Sequence, residues 1–135
     1  MTHSLRFQPG FRLSRRDVLV LLLGGATATG WWREAPWFSA LILFTVGHFF
    51  LFCNVLRMAR RYEQLWTAVF LGLAVTTLRS DTPDWGQTYG LSLLTTVILA
   101  ALQLRHPSYH GVWWQRVNPD LPQWWAQKTG LQHPV

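Results

Sequence analysis

The sequence predicts an all-α integral membrane protein, a four-helix transmembrane bundle with short loops and an interfacial C-terminal tail. Three observations predict it. Four apolar stretches, residues 18–32, 37–56, 65–78 and 91–104, divide a chain of 135 residues. Of its 12 basic residues, nearly all gather before the first stretch, between the second and third, and after the fourth. The other two gaps hold Arg33 and Arg79, accompanied by Glu34, Asp81 and Asp84, so the positive-inside rule places both termini in the cytoplasm. Finally, many of the nine tryptophans flank apolar runs, where an indole can bury its ring and keep its N–H wet.

The expected organisation is a single membrane domain over residues 1–135. It comprises a cytoplasmic basic arm (1–16), spans at about 17–32, 37–57, 62–79 and 86–104, and a cytoplasmic tail (105–135). A spanning helix needs about twenty apolar residues. Residues 37–56 meet that unaided. The first stretch is shorter, but Arg15 and Arg16 can snorkel at one end while Trp31 and Trp32 anchor the other. The third and fourth reach the needed length when interfacial residues are included. The rival reading makes the shorter stretches re-entrant or interfacial.

Ser14 is placed to cap the first helix, with the Asp17 carboxylate returning to the cap three residues on. Residues 14–19, Ser-Arg-Arg-Asp-Val-Leu, followed by Leu-rich sequence and Gly24-Gly25-Ala26, resemble a twin-arginine export signal over residues 14–30. Gly30-Trp31-Trp32-Arg33-Glu34 is a poor small-residue cleavage site and three more apolar stretches follow, so an uncleaved helix is expected. Small residues recur four apart at Gly24 and Ala28, at Ala68, Gly72 and Thr76, and at Ser92, Thr96 and Ala100. Such ridges let backbones approach closely where lipid removes the usual gain from burying leucine. Trp31, Trp32, Trp37, Trp66 and Trp85 read as interface anchors. Asp81 and Asp84 read as a capped turn through Pro83. In the tail, Asp120 with Pro122 marks a helix start and Gly130 a stop, giving a short interfacial helix over 122–129 that dips Trp124 and Trp125 into lipid.

A net charge of +6 could signal nucleic acid, but the arginines border apolar runs instead of lining one polar face. Anionic lipid headgroups are the expected counter-charge, and no nucleic-acid partner is expected. The single cysteine, Cys53, excludes an intrachain disulfide.

His48 falls near the middle of the second stretch, where ionisable groups usually face the bundle and often have a function. One reading makes its neutral imidazole an axial ligand to a haem or chlorophyll-type macrocycle, with Gly47 leaving room and Phe44 and Phe52 packing on the ring. The other is a neutral histidine donating to a carbonyl or threonine. His106 and His110 lie too far along the chain to supply a second axial ligand, and Pro107 between them argues against a helical metal pair. Asn54, Arg57, Arg60, Arg61 and Glu63 form the one dense polar cluster. It suits a lipid phosphate, a quinone headgroup or an acidic partner segment, because arginine forks match such oxygens; the other reading is purely topogenic.

No Asp, Glu or Lys falls within an apolar core, and no nucleophile–base motif, phosphate loop or catalytic carboxylate pair is present. No catalytic residue and no metal site is therefore expected. The segment 48–57, His-Phe-Phe-Leu-Phe-Cys-Asn-Val-Leu-Arg, resembles segments of small, functionally uncharacterised bacterial multi-span membrane proteins. The expectation is a multi-pass bacterial inner-membrane protein acting as a non-catalytic accessory or assembly subunit, with lipids and other membrane subunits as partners. The alternatives are a pigment-binding electron-transfer or light-harvesting accessory using His48, and a lipid- or small-solute-binding protein using the Asn54, Arg57 and Glu63 cluster.

Overall fold

The computed structural model describes residues 7–130; residues 1–6 of the expected arm and 131–135 of the expected tail lie outside the described residues. Every regular element among them is helical: α1 (Arg15–Trp31), α2 (Pro36–Phe50) prolonged by a π-helical turn (Leu51–Val55), α3 (Arg60–Ser80), α4 (Trp85–Leu104), α5 (Trp114–Val117) and α6 (Leu121–Thr129). They divide between two compact units. The first holds α1, α2 and the segment His110–Val112; the second holds α3, α4 and the remainder of the tail.

Helix ends obey local chemistry. Ser14 and Asp17 make the expected reciprocal cap, Ser14 N donating to Asp17 Oδ2 at 2.7 Å and Asp17 N to Ser14 Oγ at 3.2 Å. Pro36, whose missing N–H costs nothing in a first turn, opens α2. Asp84 caps α4 in the same manner, with Gln87 N donating to Asp84 Oδ1 at 2.8 Å and Asp84 N to Gln87 Oε1 at 3.2 Å. Asp81, at φ 55°, stops α3 in the left-handed region. The tail helix α6 begins one residue before the expected start and ends at Gly130, φ 68°, a conformation that glycine adopts without a Cβ penalty.

In the first unit α1 and α2 pair as a hairpin, and they come close together at Gly24. A Cβ there would come within 2.8 Å of Val46 Cγ2, so the absent side chain sets the spacing. Ala28 on α1 and Ser39 on α2 are also buried. The second unit is also a hairpin, but its buried faces carry polar groups: Trp66, Phe70, Ala74 and Thr77 on α3 meet Thr88, Ser92, Thr96, Leu99 and Gln103 on α4. The small-residue ridges divide accordingly. Gly24 with Ala28 and Ser92 with Thr96 lie in helix contacts, whereas Ala68, Gly72 and Thr76 face outward. Trp66 is likewise buried against α4 and does not anchor an interface.

Two helices, Pro36–Val55 and Trp85–Leu104, are long and apolar enough to cross a membrane by length and composition. Helix α1 has 17 residues, and α3 carries Arg60, Arg61, Glu63 and Arg79 at its two ends around an uncharged middle.

Candidate functional site

The densest polar assembly in the first unit lies where α2 ends. A π turn carries one residue more than an α-helical turn, which rotates the succeeding residues by roughly 100°. Its closing bond runs from Leu56 N to Leu51 O at 2.8 Å. Arg57 then turns left-handed at φ 47° and the helix stops. This turn presents Asn54, 2% exposed, to the start of α1 and to the arm before it. With its carboxamide oriented so that nitrogen faces the acceptors, Asn54 Nδ2 donates to Asp17 Oδ2 at 2.9 Å and to Arg12 O at 2.6 Å. The Asn54 carbonyl accepts from Arg12 N at 3.3 Å.

The arm is held at two more points. The Arg57 guanidinium donates to Gln8 O, and Gly10 N donates to His110 O at 2.7 Å. Gly10 itself sits at φ 102°, a backbone conformation open to glycine. Beside it, Val112 N donates to Val55 O at 2.8 Å, satisfying a carbonyl that the broken helix leaves without an internal partner. The first turn of α1, the end of α2 and the arm are thereby fastened through Asn54 and Arg57, and His110–Val112 is joined to them through Gly10 and Val55. Chemically the assembly is a polar lock: donors and acceptors face one another, and Asn54 holds three strands of chain together.

The other residues of the sequence cluster belong to the second unit. Arg60, Arg61 and Glu63 open α3, where Arg61 Nη2 donates to Tyr62 Oη at 3.3 Å and its guanidinium sits 4.8 Å from the Tyr62 ring centroid. His48 is buried at 6% exposure. Its Nδ1 lies 2.9 Å from Phe44 O, and since a carbonyl can only accept, Nδ1 carries the proton. The Phe44 ring centroid is 4.2 Å from the imidazole and Phe52 meets it edge-on at 5.7 Å. The aromatic stripe expected around His48 is thus in place, and the donation goes to the preceding turn of its own helix.

In the second unit Trp66 Nε1 donates to Thr96 Oγ1 at 2.9 Å and Ser92 O at 3.2 Å, and its ring stacks on Phe70 at 5.0 Å. Nearer the α3–α4 turn, Thr77 Oγ1 donates to Leu73 O, so Thr88 must supply the proton of the 2.6 Å Thr88–Thr77 hydroxyl pair. At the opposite end Ala59 N donates to Gln103 Oε1 at 3.4 Å. Tyr109, fully buried, has its phenol pushed above the ordinary range by burial and stays neutral. His106 Nδ1 pairs with Ser108 Oγ at 2.6 Å, and no regular helix joins His106 to His110. Among the described residues no three of His, Cys, Asp or Glu group as a metal site.

Arg12 and Asp17 as partners of Asn54, and Gln103, Thr88 and Trp66 as the polar face of the second hairpin, were not singled out from the sequence. One signal for the latter was present: Thr88, Ser92, Thr96 and Gln103 recur at helical spacing on a single face. Comparison with protein-family models, with curated proteins and with solved structures found no match to this chain.

Proposed function

We propose that the chain crosses a bacterial inner membrane four times, with both ends cytoplasmic, and serves without catalysis as an accessory or assembly subunit packed against a larger membrane complex. The polarity of its surfaces supports lipid as the surrounding solvent. Ser39, His48 and Asn54 in one unit and Thr77, Thr88, Ser92, Thr96 and Gln103 in the other are buried, while Leu22, Leu23, Leu71, Leu78, Leu94, Val97 and Ile98 point outward. A water-soluble fold favours the reverse. Apolar hydrogen-bonded helices facing outward, with neutral donors turned inward, suit a medium that cannot solvate a peptide group.

The accessory role rests on one observation. The ridge Ala68, Gly72 and Thr76 is exposed on α3, on a face other than the one α3 turns to α4. In lipid, a small-residue ridge left open is where another helix can approach. The test uses the full tagged chain extracted from its native membrane in mild detergent and resolved by native electrophoresis. A discrete species larger than the chain itself is expected, dispersed to the size of the lone chain by Gly72→Leu. An unchanged assembly in the Gly72→Leu protein, or a wild-type chain that runs alone, contradicts the role.

A further inference from the structure

Beyond the C-terminus of α4 the second unit opens into a cavity of about 660 Å³. Ala101, Leu104 and Val117 give it an apolar wall, and Arg105, His106 and Asn118 supply its polar groups. The tail builds this shape. Asn118 Nδ2 donates to Pro107 O at 2.7 Å and to Tyr109 O at 3.1 Å, which ties the turn after α4 to the end of α5. Tyr109 and Leu121, both 0% exposed, fix the same segment from within.

With the Asn118 amide N–H groups already given to Pro107 O and Tyr109 O, the donors left are those of Arg105 and His106. Ser108 N donates to His106 Nδ1 at 3.2 Å, and the Ser108 hydroxyl lies 2.6 Å from the same nitrogen. Nδ1 is therefore an acceptor, and the proton of the neutral ring sits on Nε2. The Arg105 guanidinium brings a positive charge and a fork of N–H groups. Among the described residues no carboxylate is paired with it. Nor do these side chains finish the helix, since Ala101 O already accepts from Arg105 N at 3.3 Å and Gln103 O from His106 N at 3.1 Å.

A cationic fork and a separate imidazole N–H beside an apolar wall call for an anion with several oxygens on an organic stem. After the fork is made, the two non-bridging oxygens of a phosphodiester each keep a lone pair for a further donor, and a phosphate monoester offers a third oxygen besides. We propose that this cavity binds a phosphate ester, its oxygens accepting from Arg105 and His106 Nε2 and its organic part lying along Ala101, Leu104 and Val117. The source is either the headgroup of a membrane phospholipid or a soluble phosphate ester. Neither the site nor its geometry depends on the accessory role.

The experiment is calorimetric titration of the full-length chain in a phosphate-free maltoside detergent with two probes, phosphatidylglycerol in mixed micelles and glycerol 3-phosphate. Saturable binding of at least one is expected, weakened about tenfold or more by Arg105→Gln, as loss of a charge-assisted contact implies. His106→Leu should weaken it severalfold, and Arg33→Gln, at the α1–α2 connection, should leave it unchanged. Binding of phosphatidylglycerol alone assigns a lipid headgroup; binding of glycerol 3-phosphate assigns a soluble ester. If neither probe binds, or if both the Arg105→Gln and His106→Leu proteins, folded by circular dichroism, bind as tightly as wild type, the proposal is overturned.

Discussion

The two hairpins solve the same adhesion problem with different chemistry. Between α1 and α2 the helices close on a missing side chain at Gly24, and the polar fastening is concentrated at one end, where Asn54 meets Asp17 and Arg12. Between α3 and α4 the fastening is distributed: Thr88 to Thr77, Trp66 to Thr96 and Ser92, Ala59 to Gln103. The charged groups of the first lock sit at a helix end beside the arm, whereas the second uses neutral hydroxyls, an indole and an amide along its length. On the proposed membrane reading, that division matches what a bilayer demands. Charge is tolerated near headgroups and strongly disfavoured at depth, where neutral donors suffice. A hairpin can thus be locked by one strong terminal cluster or stitched by several weak internal bonds.

The comparison is broken most directly at Asn54. Asn54→Ala should remove about 2 kcal/mol of unfolding free energy, because two hydrogen bonds from a buried amide, to Asp17 Oδ2 and Arg12 O, are lost together. Denaturant titration in mixed micelles measures it, and protease sensitivity of the arm at residues 7–14 should rise in parallel. A loss below about 0.5 kcal/mol would show that the lock is not a unit. Trp66→Phe should cost less, about 1 kcal/mol by the same titration, because an interhelical bond in lipid is individually weak and Phe keeps the ring stacked on Phe70. A cost equal to that of Asn54→Ala would erase the distinction between the hairpins. Smallest of all is Ser39→Ala. The Ser39 hydroxyl is fully buried with no hydrogen-bond partner, so its removal should be neutral or stabilising by up to about 1 kcal/mol.

Local features were legible in the sequence. The Ser14–Asp17 cap, the turn before Asp84 and the limits of α6 at Asp120 and Gly130 depend on residues a few positions apart, and their chemistry is complete within that window. The all-helical class came from apolar run length. Azimuth was harder to read. Ala68, Gly72 and Thr76 make as good a ridge by spacing as Ser92 and Thr96, yet α3 turns Trp66 and Thr77 to its partner because the Trp66 N–H finds acceptors on α4 and the Thr77 hydroxyl accepts from Thr88. Trp66 was misplaced for the same reason: its position near the end of an apolar stretch reports depth, and its hydrogen bonds decide which way it faces. The setting of Asn54 was the least accessible. It needs a π turn, a left-handed Arg57 and an arm more than forty residues earlier in the chain, and none of these is visible within one helix period. His48 lay between these cases, its aromatic stripe being local and its donation to Phe44 O a choice among several acceptors.

The central claim is that lipid surrounds the outward faces of these helices. A nitroxide scan along residues 93–104 of α4, in a Cys53→Ser background in lipid bilayers, reads accessibility to oxygen against a water-soluble nickel chelate. Oxygen should reach a label at Val97, 65% exposed, far better than one at Thr96, 7% exposed, and the nickel chelate should reach neither. Free access of nickel to Val97 would mean that water covers that face, contradicting the account.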